Sequence, residues 1–325
     1  MTHPAAFERI AAAHRAARTG QVVLRRPAPD VIVMDGSTRL GFLQRMSTND
    51  FTQLAPGRLR WTVLTTPLAR IVDFVQVLAG SDNLLLLTTP GRGSTVVDWL
   101  RKYVFFQDDL TLRLEATRRE AWLVLGPAAE AAAAAISSDA PGLESGAWLP
   151  AGEAWIWRVD RPAAGGWAIL GPSPAKYGLA RLAEPDDIAG PLFEVLRIEA
   201  GIPAPGSEIT DDRIPLEVGL AEAISLDKGC YIGQEIIARM TSRERLARRL
   251  VGVRLPGPAN PRARLQQQGS TVGELTSVAL SPVLGWIGLA LVRPSALAVD
   301  AAQVSVAEAG QPAQLVELPL LPGTA

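Results

Sequence analysis

Lys228-Gly229-Cys230-Tyr231-Ile232-Gly233-Gln234-Glu235 holds the only cysteine of a 325-residue chain. Two glycines bracket that cysteine, a spacing that suits either a tight loop at positive φ or close approach of the backbone to a ligand. Lys228 stands two residues away, and a neighbouring ammonium favours the thiolate, the nucleophilic and metal-binding form of the side chain. A lone cysteine can equally be an inert packed residue. Gln234 and Glu235 then lead into a helix expected over 236–240, where they can anchor the loop or touch a ligand.

The rest of the composition limits what this cysteine can do. It has no partner for an internal disulfide, and one thiolate cannot hold an iron–sulfur cluster or a structural zinc. His3 and His14 are the only histidines, too few for a His-rich metal site or a Ser-His-Asp hydrolase. No metal ligands are therefore assigned, and cluster chemistry at Cys230 requires ligands from outside the chain. With 48% hydrophobic and 20% charged residues the chain reads as an ordinary globular protein. A net charge of -1 argues against strong, sequence-independent nucleic-acid binding. No apolar run reaches the ~20 residues that cross a bilayer, and residues 1–20 lack a secretory pattern, so a cytoplasmic location is the default.

Upstream of the cysteine, Leu192-Phe193-Glu194-Val195-Leu196-Arg197-Ile198-Glu199-Ala200-Gly201 has helical periodicity and a terminal glycine stop. Arg197 and Glu199 are separated by ~200° on a helix, so one is expected to face a site or neighbouring domain and the other solvent or a second partner. A solvated charge pair is the plain alternative. Ile214-Pro215-Leu216-Glu217-Val218-Gly219-Leu220 follows. Downstream, Arg239, Arg243, Arg245, Arg248 and Arg249 form the most basic run, either a solvated face or a contact for an anionic partner.

Farther out, the patterns alternate between strand and helix. A first helix from Phe7 to His14 is followed by a strand at Val31–Met34, a turn, and a helix through Met46 capped by Ser37 or Thr38. Strands are expected at 61–64, 71–78, 84–88 and 110–114, with a helix over 94–104. The middle third repeats the order: a strand at 121–125, an Ala-rich helix over 128–136, which Ala propensity alone accounts for, and strands at 154–159 and 167–170. After Arg249 short strands punctuated by Gly and Pro suggest a small barrel or sandwich. The expected architecture is α+β: two mixed halves, about 1–117 and 118–247, and a C-terminal β-barrel over 248–325.

The series Arg-x-Glu-x-Gly, Pro-x-Glu-x-Gly-Leu and Lys-Gly-Cys-Tyr-Ile-Gly-Gln-Glu resembles the folate-binding family of the glycine-cleavage T-protein and the YgfZ proteins, and the last motif is most similar to the YgfZ type. Phe42-Leu43-Gln44 with Thr48-Asn49-Asp50, Arg70-Ile71-Val72-Asp73-Phe74, and Gly273 with Thr276-Ser277 and Ser281-Pro282 extend the resemblance along most of the chain. The resemblance implies two α+β halves around a folate pocket plus the small barrel, with tetrahydrofolate or a one-carbon derivative as cofactor.

It further implies that Asp73 meets the reactive nitrogens of the folate and that Glu199 or Glu217 grips the pterin edge by paired hydrogen bonds. Arg197, Lys228, Tyr231 and Gln234 complete the cofactor-binding set. Two departures from the T-protein pattern matter: Phe74 stands where a second aspartate is usual, and Cys230 where an acidic residue is usual. They sharpen the likeness to the YgfZ type, which implies a folate-binding accessory factor for assembly or repair of iron–sulfur clusters in client enzymes, tRNA-modifying ones included. The alternative is a folate-dependent aminomethyl transferase. Folate and iron–sulfur client or assembly proteins are the implied partners, with Cys230 as reactive thiol or shared ligand.

Overall fold

The architecture starts with an exchange between its two halves. In a computed structural model describing residues 4–172, 177–242, 246–297, 303–307 and 310–322, helix α1 (Pro4–Thr19) buries Ile10, Ala13, His14 and Ala17 on one face. Strand β1 (Val22–Arg26) follows. Both pack with the second half, because the apolar run Val22-Val23-Leu24 pairs with 123–125 about a hundred residues along the chain. Beyond this crossover of α1 and β1, the strands before and after about residue 117 fall in different sheets.

The first sheet takes strands β2 (Asp30–Asp35), β3 (Leu59–Thr65), β4 (Ile71–Ala79), β5 (Asn83–Thr88) and β6 (Thr111–Leu114), with helices α2 (Arg39–Met46) and α3 (Gly93–Arg101) between them. Its order is β3-β4-β5-β2-β6, antiparallel throughout. Ser37 and Thr38 do not cap α2 with their side chains: both hydroxyls donate to Asp109, at 2.6 and 2.9 Å. The second sheet combines β1 with β7 (Glu120–Leu125), β8 (Trp148–Ala151), β9 (Ala154–Val159) and β10 (Gly166–Gly171) in the order β1-β7-β10-β9-β8. The Ala-rich helix α4 (Ala129–Ile136), the short α5 (Leu179–Leu182) and the long α6 (Asp186–Glu199) accompany it.

Strands β2 and β5 are apolar without alternation because both of their faces are covered. Ile32, Met34, Leu84 and Leu86 face α2 and α3 in one core cluster. Val31, Val33, Leu85 and Leu87 face the second sheet and meet Trp148, Trp157, Ala168 and Leu170. The two sheets are thus packed face to face, and burial of each such side chain stabilises the seam by ~1.5–3 kcal/mol.

Helix α7 (Gln234–Ser242) ends the two-sheet part. The C-terminal strands β11 (Arg249–Arg254), β12 (Arg264–Gln267), β13 (Ser270–Ser281), β14 (Gly285–Val292), β15 (Gln303–Val306) and β16 (Gln311–Val316) close into a six-stranded barrel. Strand β11 pairs with both β14 and β16, which removes the free edges. Among the described residues no helix is long and apolar enough to cross a membrane.

Candidate functional site

The two sheets part at one end of their seam and leave a chamber of about 410 Å³. Its wall is built by the β3–β4 hairpin. Trp61 lies opposite Gln76, and Phe74 opposite Val63, so Trp61 and Phe74 are diagonal neighbours on one face of the pair. Their rings stack at 4.6 Å between centroids with an interplanar angle of 20°. Gln76, on the same face, is buried and lines the chamber with them. Through Trp61, Phe74, Gln76 and Arg161 the chamber continues into a second cavity of about 600 Å³. Through Thr89, Pro90, Pro205 and Ile209 it joins a third, of about 420 Å³.

Asp73 lines that third cavity. Its neighbours in β4 show why: alternation sends Phe74 and Gln76 to one face and Asp73 to the other. Oδ2 accepts the Thr89 backbone N–H at 3.0 Å. Burial pushes the carboxyl above the ordinary carboxylate range, against the Thr89 hydrogen bonds and the charge of Arg92.

Arg197 also borders the chamber, but its donors are committed elsewhere. Its guanidinium makes a two-pronged bond to Glu194 and further bonds to Glu208, the Ile202 carbonyl and the Ser277 hydroxyl. Glu199 is fully buried away from the chamber. Its oxygens accept from His14 Nε2 at 2.9–3.0 Å, Arg18 Nη2 at 3.0 Å and Ser281 Oγ at 2.6 Å. Burial pushes this carboxyl up, yet the bonds from His14, Ser281 and Arg18 outweigh it and hold the group below its ordinary range.

Of the two outcomes expected for α6, solvent for one charge or a second partner for each, the structure shows the second: Arg197 reaches Ser277 of the barrel and Glu199 reaches His14 and Arg18 of α1. The helix is enclosed by α1 on one side and by β13 on another, so both charges are buried and each finds its own partners. With both oxygens engaged, Glu199 has no free edge for a pterin. Glu217 is likewise placed in a local turn: its Oε2 accepts the Ile214 N–H at 3.3 Å, and burial pushes its carboxyl up. It does not line the three connected cavities.

The cysteine motif lies against the other side of the first sheet's hairpin. Lys228 is buried and donates to the carbonyls of Gln44, Ser47 and Asn49 around the end of α2. Its three ammonium protons are thus engaged in holding the loop. Burial lowers the Lys228 pKa to about 8. Tyr231 is buried with Ala69, Ile214 and Ile237, its ring 5.1 Å from the Lys228 ammonium, and burial raises its phenol to about 12.

Gly233 has φ +86°, and an added Cβ would stand 2.8 Å from both Thr65 Oγ1 and the Thr66 carbonyl. The close approach that demands this glycine is to the chain's own β3–β4 turn rather than to a ligand. Gly229 meets nothing within 4 Å. Gln234 opens α7, half-buried. Cys230 is exposed, outside the lining of the connected cavities. Among the described residues no three His, Cys, Asp or Glu side chains gather as a metal site.

The basic run dissolves into local pairs: Arg239 with Glu235, Arg248 with Glu274 at 3.5 Å and Arg249 with Glu317 at 2.6 Å. Arg243 and Arg245 lie outside the described residues.

Sequence reasoning missed Trp61, Gln76, Arg26 and Arg161 as lining residues and assigned Phe74 only as a departure from a pattern. The available signal was polar: Gln76 interrupts the apolar run Ile71–Ala79, and an inward amide in a covered strand marks a cavity or a partner.

Residues 1–154 match the family described as the GCVT N-terminal domain, and residues 248–321 match the glycine cleavage T-protein C-terminal barrel domain. The chain is 30% identical over 262 residues to a putative chloroplastic transferase of Arabidopsis thaliana; the match covers 76% of this chain and 59% of that protein, about three fifths of its length. It is 26% identical over 307 residues to the aminomethyltransferase of Bacillus subtilis, covering 89% and 84% of the two chains. The crystal structure of glycine cleavage system aminomethyltransferase T from Bartonella henselae superposes with a TM-score of 0.82 at 20% identity, over 96% of this chain and 89% of that one. This last likeness is one of fold. With both terminal domains matched in order, the chain belongs to the glycine-cleavage T-protein-like family.

Proposed function

We propose that the protein binds tetrahydrofolate in the chamber between its sheets and serves in the cytoplasm as an accessory factor for assembly or repair of iron–sulfur clusters in client enzymes, including tRNA-modifying ones. The observation that carries this reading is the position of Phe74. Stacked on Trp61 at 4.6 Å, it makes a flat apolar wall suited to a pterin face. The buried Gln76 amide beside it presents a donor and an acceptor for a pterin edge. The chamber and its second cavity, about 410 and 600 Å³, lie in the range of small-molecule sites. Phe74 also fills the position where the T-protein pattern carries a second aspartate, which weakens the case for aminomethyl transfer.

Tetrahydrofolate, when bound, supplies a carrier for one-carbon units on its reduced nitrogens. The chain's own residues hold the ring, exclude water from its faces and place the Asp73 carboxyl in the adjoining cavity. Cys230 stands apart from that chamber at the surface, where its thiol is accessible to a client as shared ligand or transient nucleophile. Tetrahydrofolate titration into wild type and Cys230→Ala, paired with activity of a cluster-containing enzyme in cells carrying each variant, tests both parts. Equal folate affinity with lost cluster-enzyme activity is expected. Unchanged enzyme activity sinks the role of Cys230, and absent folate affinity sinks the chamber.

Aminomethyl transfer is the second reading, favoured by the names of relatives such as the Bacillus subtilis protein and by the buried Asp73 carboxyl beside the chamber. Formation of methylenetetrahydrofolate from an aminomethylated lipoyl carrier would establish it; absence of turnover closes it.

A further inference from the structure

Arg26 ends β1 and lines the chamber but not the second cavity. Together with Pro27 and Pro29 it lines both the chamber and an open groove of about 930 Å³ beyond it. Its guanidinium lies 3.5 Å from the centroid of the Phe193 ring and makes no hydrogen bond among the described residues. Glu194 attracts it, but both Glu194 oxygens are held by Arg197, and Arg197 repels it. Burial lowers the guanidinium to about 10, the direction expected of a cation desolvated without a full partner. Stacking on Phe193 occupies one face of the plane and leaves the five edge donors available.

The groove's other charges largely satisfy one another. Arg119 is bonded twice to Glu115, Arg25 faces Glu120 at 3.7 Å, and Asp30 accepts the Gly93 N–H at 2.8 Å. Arg118 and Asp186, both exposed, stand at the rim. Arg26 is thus the cation at the neck of the chamber whose donors await an acceptor.

We propose that Arg26 anchors a carboxylate of the ligand: with the ring on the Trp61–Phe74 wall, the acidic tail of a reduced folate reaches the guanidinium edge and leaves over Pro27 and Pro29. The inference rests on the folate reading and assigns the direction in which the ligand lies. A carboxylate there gains charge-assisted, two-pronged bonds in a desolvated setting, while the tail beyond it runs in solvent.

The test compares tetrahydrofolate with 6-methyltetrahydropterin, which has the ring and no acidic tail, by calorimetric titration of wild type, Arg26→Met and Arg26→Lys. Arg26→Met is expected to weaken tetrahydrofolate about tenfold or more and leave the tail-less pterin unchanged, with Arg26→Lys recovering part of the loss. Equal weakening of both ligands, or of neither, overturns the inference, since a residue that only shapes the chamber acts on both alike. A wild type that binds the pterin as tightly as tetrahydrofolate overturns it too and leaves the chamber reading intact. A wild type that binds neither overturns the folate reading and this inference with it.

Discussion

Two buried polar regions meet at α6, and they differ in whether their polar atoms are already answered. In the seam between α6 and the barrel, Arg197 bonds to Glu194, Glu208, Ile202 and Ser277, and Glu199 to His14, Arg18 and Ser281. Ser277 and Ser281 both come from β13, so the two networks tie the barrel to the two-sheet part. In the chamber, by contrast, Gln76 and Arg26 make no side-chain hydrogen bonds among the described residues. A saturated network specifies one arrangement of the chain. Unanswered donors beside an aromatic wall make a place for something else to bind.

Removing a charge from the seam is the strongest way to break this comparison. Arg197→Met leaves Glu208, which has no exposed surface, without its cation, a change that costs about 3–5 kcal/mol. A large fall in the thermal midpoint is expected, with folate affinity of the remaining folded protein little changed. Lost affinity with stability intact would move Arg197 into the binding machinery. The seam also has a pH signature through Glu199, whose folded pKa is depressed. Its contribution is complete above the ordinary carboxylate pKa and is lost as pH falls through the lowered folded value. Unfolding measured across the acid range in wild type and Glu199→Gln should show that loss in wild type alone.

Much of this division was legible in sequence, but only in part by function. The window around Arg197 and Glu199 alone left a solvated charge pair open, and it was the motif spacing that marked the family and gave these residues and Glu217 a role. What the spacing cannot contain is the enclosure of α6 on both sides, which depends on α1 and β13, far away along the chain. The strands themselves were readable from apolar runs such as Val31–Met34, whereas the placement of β1 beside β7 was not, because nothing local to Val22–Leu24 names a partner. Trp61 and Phe74 read as ordinary strand residues until the register of one hairpin put them on the same face. Gly233 is the converse case, a legible glycine whose reason turned out to be the adjacent β3–β4 turn.

A smaller effect sharpens the chamber side. Trp61→Ala removes one ring of the stack and uncovers the Phe74 face that it covers. Tetrahydrofolate binding is expected to weaken by about 1–2 kcal/mol, roughly five- to thirtyfold. Because Trp61 is 42% exposed, the thermal midpoint should move little, the reverse of the pattern expected at Arg197. A variant that lost stability and kept its affinity would show that the stack serves the hairpin rather than a ligand.

Asp73 gives the smallest effect and the finest distinction, because it belongs to neither extreme: buried, lining a cavity, and answered on one oxygen by the Thr89 N–H at 3.0 Å. Its folded pKa is raised, so ionisation is less favourable in the folded chain than in the unfolded one. Stability from this group is undiminished below the ordinary carboxylate pKa and falls as pH rises through the raised folded value. Asp73→Asn keeps an acceptor for Thr89 and abolishes that titration. At neutral pH the variant should be as stable as wild type or more stable by up to about 1 kcal/mol, the gain vanishing in acid. A seam residue behaves oppositely, since neutralising Glu199 costs stability where the carboxylate is ionised. Loss of stability in Asp73→Asn at neutral pH would place Asp73 with the saturated seam; a gain bought at the expense of ligand affinity would place it with the chamber.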